Sequence, residues 1–115
     1  MFKDVPQADN TIYQQLARNG NPAGGVAVFL YEDKSKVDKA YSKILGGMGS
    51  DAKPVPKLGD KASIAILTVG MEGIDLVFTR CNGVVQIRMT GTSNADEITS
   101  YAKRLDSRLS EVACR

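Results

Sequence analysis

Between Ile74 and Thr90 apolar and polar residues alternate on either side of an Asn82-Gly83 step, and no other feature restricts the fold as much. Asn-Gly is a strong two-residue hairpin signal, because both central positions of a type I′ turn need positive φ. With the turn centred on Asn82-Gly83, Cys81 faces Val84, Arg80 faces Val85, Phe78 faces Ile87 and Leu76 faces Met89. One side of the ribbon then carries Ile74, Leu76, Phe78, Val85, Ile87 and Met89. The other carries Asp75, Val77, Thr79, Cys81, Val84, Gln86 and Arg88. A slip of one residue would mix the two sets, so the faces are well defined.

The rest of the chain is arranged around this ribbon. Residues 62–69 extend it to a three-stranded meander, and Val26-Ala27-Val28-Phe29-Leu30-Tyr31 reads as a buried strand, apolar throughout. A short helix is expected over residues 10–19, with Ile12, Tyr13 and Leu16 on one face and Gly20 as its stop. A longer one follows Ser35-Lys36-Val37-Asp38, which has capping-box spacing, and buries Val37, Ala40, Tyr41, Ile44, Leu45 and Met48. Residues 49–61, with Pro54 and Pro56, form an extended crossing. The closing helix begins near Ser93-Asn94-Ala95-Asp96 and carries Ile98, Tyr101, Ala102, Leu105, Leu109 and Val112 as one stripe. The order is helix-β-α-β-β-β-α. The expected fold is α+β: a four-stranded, mainly antiparallel sheet with the two long helices on one face.

At 115 residues, the whole chain (1–115) is expected to form a single domain with one core. With 43% apolar and 24% charged residues, it has the composition of a globular protein. A net charge of +2 is too small to mark a nucleic-acid binder unless its cations cluster. The one candidate cluster is Lys103, Arg104 and Arg108 on the outer face of the last helix, which makes a small cytosolic nucleic-acid module the alternative reading. No apolar run reaches the ~20 residues of a membrane span. Met1-Phe2-Lys3-Asp4-Val5-Pro6 lacks a signal-peptide core, which fits either a cytosolic protein or a mature chain.

The chain contains no histidine. Ser-His-Asp triads, Cys-His pairs and histidine metal sites are therefore excluded, and no catalytic residue, metal site or cofactor is expected. Glu32/Asp33 and Asp96/Glu97 sit where acids cap amides and favour a helix dipole. Gly46-Gly47-Met48-Gly49 follows a helix and is not succeeded by Lys-Ser/Thr, so it is not a phosphate loop. Gly70-Met71-Glu72-Gly73 has the shape of an RNA-clamping loop but joins strands, which makes it a hairpin turn.

What remains is binding. On the polar ribbon face Thr79, Gln86 and Arg88 would lie beside Val77, and strand pairing is expected to bring Ile64 and Ile66 to the same side. An exposed patch of that kind meets a partner. The expectation is that this face is covered by a second copy, giving a homodimer, or by the N-terminal helix, or that it takes an unknown protein or small ligand.

The cysteines add a second expectation. A last helix of about eighteen residues at ~1.5 Å each covers about 26 Å, and the returning strand about 33 Å, so Cys114 should arrive near Cys81. Strand parity argues against a bridge, because it turns Cys81 away from the helix-packed face. A bridge would imply an extracytoplasmic setting (periplasmic, secreted or surface), and free thiols a cytoplasmic one.

Leu58-Gly59-Asp60, Leu76-Val77-Phe78-Thr79-Arg80, Asn82-Gly83-Val84-Val85, Thr90-Gly91 and Ala102-Lys103-Arg104-Leu105-Asp106-Ser107-Arg108-Leu109 together resemble domains of uncharacterised secreted prokaryotic proteins, often lipoproteins. The likeness covers roughly residues 58 to 110, with a looser echo from Gly25 to Met48. It implies a fold and an extracytoplasmic setting, and offers no catalytic residues. The chain departs from the pattern in lacking a leader and a lipidation cysteine near its start.

Overall fold

The computed structural model describes residues 7–48, 52–67, 72–92 and 94–114. The architecture is α+β, but the sheet has six strands. In chain order the elements are β1 (Asn10–Arg18), β2 (Asn21–Leu30), α1 (Ser35–Gly47), β3 (Lys53–Pro54), β4 (Lys61–Leu67), β5 (Gly73–Arg80), β6 (Gly83–Thr90) and α2 (Ala95–Ala113). The strands lie in the order β1-β2-β6-β5-β4-β3, and every neighbouring pair is antiparallel.

Two expectations fail at once. Residues 10–18 form a strand instead of a helix, and the two helices lie on opposite faces instead of sharing one. The first has a local cause. Asn19 and Gly20 have φ of 54° and 82°, the doubly positive pair of a tight hairpin, and Arg18 pairs with Asn21. The Gly that looked like a helix stop is half of a turn. The second follows from where the chain crosses. α2 packs on the side of Leu76, Phe78, Val85 and Ile87, and α1 on the side of Val77, Val84 and Ala65.

The β5–β6 hairpin is centred one residue earlier than expected. Arg80 pairs with Gly83, Phe78 with Val85, Leu76 with Ile87 and Asp75 with Arg88, so Cys81-Asn82 is the two-residue loop. Cys81 carries the positive φ, at 52°. Gly83 packs closely: a Cβ there would stand 3.0 Å from the Leu109 side chain of α2, which would have to shift slightly. Moving the turn by one residue shifts the pairing by two, which preserves the two faces.

The α1 stripe buries as its periodicity requires, and the α2 stripe does so as far as Leu109. Val37, Ala40, Tyr41, Ile44 and Met48 form one core with Tyr31, Ala65, Val77 and Val84. Ile98 and Ala102 join Leu58, Ile74, Leu76, Phe78, Val85, Ile87 and Met89 in the other, with Tyr101, Leu105 and Leu109 packed at its margin. Val112 is exposed. The caps differ from expectation. The side chain of Asp33 accepts the Ser35 N–H at 3.0 Å and its hydroxyl at 2.7 Å, so Ser35 is inside α1 and no capping box forms. In α2 the cap is Asn94, which accepts from the Asp96 and Glu97 amides at 3.0 and 3.3 Å. Ser93 lies outside the described residues, as do Gly49, Val69, Gly70 and Met71.

Cys81 and Cys114 stand at disulfide distance, with Cα atoms 5.2 Å apart and a sequence separation of 33. The parity objection lapses because Cys81 is a loop residue, where strand alternation does not apply. A polar network closes the same end. Arg80 donates to both Asp106 oxygens at 2.6 and 2.7 Å, and Asp106 also accepts the Gly59 amide at 2.9 Å. The side chain of Asp60 accepts the Cys81 N–H at 2.8 Å. The hydrogen bonds from Arg80 hold the nearly buried Asp106 carboxyl below its ordinary range, and Asp106 in turn raises the Arg80 guanidinium.

Candidate functional site: a groove beside helix α1

α1 covers the β4–β6 part of its face. Next to it the β1–β2 hairpin continues the sheet, and no described element lies over that stretch. The result is a groove of about 620 Å³ lined by Thr11, Tyr13, Gln15, Pro22, Gly24, Gly25, Ala27, Phe29, Gln86 and Arg88.

Strand alternation builds the floor. Tyr13 pairs with Ala27, which pairs with Gln86, and Thr11 pairs with Phe29. All point to the α1 side because successive strand residues point to opposite faces. Gly24 is a steric requirement, and Gly25 leaves room for a neighbouring ring. Gly24, at φ 123°, lies so close to the Arg88 carbonyl that a Cβ there would collide with it. A Cβ at Gly25 would collide with the Tyr13 ring, which leans over that position. Tyr13 is 70% exposed, so its ring forms an open wall and not part of a core.

Arg88 is the single charged lining residue and sits at the seam between the groove and α1, near Lys43, Ile44 and Met48. Its Nε and Nη2 donate to the two oxygens of Asp75 at 2.7 and 2.8 Å. Asp75 is 1% exposed, so its charge is out of water and is balanced by Arg88 through a two-point contact. That hydrogen bonding raises the Arg88 guanidinium above its ordinary value, against the effect of burial. The pair fixes the guanidinium plane at the groove edge.

The residues expected to share a binding face divide three ways. Gln86 and Arg88 do line the groove. Val77 and Thr79 lie beneath α1, fully buried. Ile64 and Ile66 lie on the other face, because Ile64 pairs with Leu76 and Ile66 with Ile74. Ile64 packs at the margin of the α2-side core, and Ile66 is exposed. On the polar ribbon face α1 thus covers Val77 and Thr79, Gln86 and Arg88 border the open groove, and residues 10–18, being a strand, supply no N-terminal helix to cover it. Lys103, Arg104 and Arg108 are exposed on α2, with Arg104 over the Tyr101 ring at 5.7 Å from its centroid.

Sequence reasoning missed Tyr13, Ala27, Phe29, Gly24 and Gly25. The signal was the Asn19-Gly20 step, which reads as a hairpin and places Tyr13 over Gly25.

No family model, curated protein or solved structure matches this chain. No described helix is long and apolar enough to cross a membrane.

Proposed function

We propose that this chain is a non-catalytic, extracytoplasmic binding domain whose ligand seat is the groove beside α1. The observation that carries the reading is the groove itself: about 620 Å³, aromatic and glycine-lined, with one fixed guanidinium at its edge. Its size falls in the range of small-molecule sites, which are mainly apolar with a few placed polar groups. The matching ligand has a flat or apolar body lying along Tyr13, Ala27 and Phe29. It also has an acceptor group reaching Gln86 and Arg88.

The lining offers no carboxylate, imidazole or thiol, and its one phenol, Tyr13, has no such group beside it in the groove, which supports binding over catalysis. The Cys81–Cys114 pair supports an oxidising compartment, where such bridges persist.

The test uses an anilinonaphthalene sulfonate, an apolar fluorophore with one anionic group. Saturable one-site binding is expected, with at least a tenfold loss of affinity in Ala27→Phe, which fills the floor. Binding that is unsaturable, or indifferent to Ala27→Phe, would refute the reading.

A further inference from the structure

The two edges of the sheet are built differently. β3 is two residues long and consists of Lys53 and Pro54, both exposed. Short length, lysine and proline all protect an edge against further pairing. β1 has none of these protections. It runs nine residues, contains no proline and carries no charge before Arg18. Ile12 is 57% exposed. Among the described residues no strand pairs with its outer side.

The free hydrogen-bonding groups can be assigned. The Tyr31 N–H donates to the Asn82 carbonyl and the Gly91 N–H to the Glu72 carbonyl, both at 2.9 Å, which sets the ladder's phase. Carried across β2, the alternation turns the backbone groups of Asn10, Ile12 and Gln14 toward β2. Those of Thr11, Tyr13 and Gln15 face outward.

We infer that β1 pairs antiparallel with β1 of a second copy, about a two-fold axis through Gln14. Gln14 is the midpoint of the strand, so its whole length is used. Tyr13 and Gln15 of one copy exchange backbone hydrogen bonds with Gln15 and Tyr13 of the other. Ile12 comes opposite Leu16 on the α2 side, giving the exposed isoleucine an apolar partner on each side of the axis. Moving the axis one residue either way puts Ile12 against Gln14 or Arg18 instead. No like charges are opposed, and Arg18 of each copy comes opposite the neutral Asn10 of the other.

The two six-stranded sheets become one. On the opposite side, each groove gains Tyr13 and Gln15 of the second copy at its rim. The pairing uses backbone groups and the α2-side residues of β1, so it holds whether or not the groove takes a ligand.

Sedimentation equilibrium of the full chain tests it. The wild type is expected at twice its monomer mass. Gln14→Lys sets two ammonium groups facing each other at the axis and should return the monomer, with circular dichroism unchanged. Gln14→Cys should oxidise to a covalent dimer on a gel without reductant, because a two-fold brings each introduced thiol to its counterpart. Ile12→Cys should not. A monomeric wild type overturns the inference, even if its edge takes up an extended peptide. So does a dimer that survives Gln14→Lys while Gln14→Cys fails to cross-link, since that dimer uses another surface.

Discussion

The sheet has a closed half and an open half. β4, β5 and β6 lie between α1 and α2, and Ile74, Leu76, Val77, Phe78, Val84 and Ile87 are entirely out of solvent. β1 and the adjoining part of β2 are barely covered, and nearly every β1 side chain is exposed. Yet the open half is paired along its whole length, with a single register shift between Leu16 and Ala17. Its order comes from ladder hydrogen bonds and the Asn19-Gly20 turn, whereas its neighbour's order comes from two layers of side chains. The buried core and the open groove are thus carried by different strands of one sheet.

The contrast can be broken most severely from the closed side. Phe78→Ala should cost about 3–5 kcal/mol in chemical denaturation, because the cavity opens in a core that cannot relax. Next comes the covalent staple. Replacing both cysteines by serine, or adding reductant, should cost about 4 kcal/mol for a loop spanning 33 residues.

A smaller loss is expected from Asp106→Asn, about 1.5–3 kcal/mol, because a charge-assisted contact to Arg80 is weakened. The pH dependence has a definite sign. The folded Asp106 carboxyl is held below its ordinary value, so its contribution is fully present above the unfolded value. It is lost as pH falls through the folded value. The gap between wild type and Asp106→Asn should therefore be flat near neutrality and shrink below about pH 4. The smallest effect belongs to the open half. Tyr13→Ala should change stability by no more than about 0.5 kcal/mol while abolishing probe binding in the groove. A large destabilisation there would erase the distinction between the halves.

What could be read from the residues follows the same division. The two faces of the β5–β6 ribbon and both helix stripes were legible because burial imposes a period on them. The pairing register was not, because a shift of two residues keeps every side chain on its own face. The Cys81–Cys114 approach was legible from element lengths alone, and strand parity misled only because Cys81 belongs to the loop. The open half was the least legible. Ile12, Tyr13 and Leu16 fit a helical face as well as a strand, and an exposed strand lacks the alternation that burial would impose. Val26 to Leu30 read as uniformly apolar because one side packs on a core while the other lines the groove. The helices were expected on one side because the polar ribbon face, with Asp75 and Arg88, looked solvated. A buried two-point ion pair carries the same residues as a wet surface.

The bridge between Cys81 and Cys114 also has a mechanical meaning. It closes β6 and α2 into a covalent ring, and the remainder of the chain hangs from one point of it. A force applied to the chain before Cys81 and after Cys114 would pass from β5 directly across the sulfur atoms. β6 and α2 would bear no tension. Stretched to its limit, the oxidised chain would be shorter than the reduced one by roughly 110 Å, the extended length of the shielded segment. A protease cut inside the ring would leave the protein in one piece until a reductant arrived.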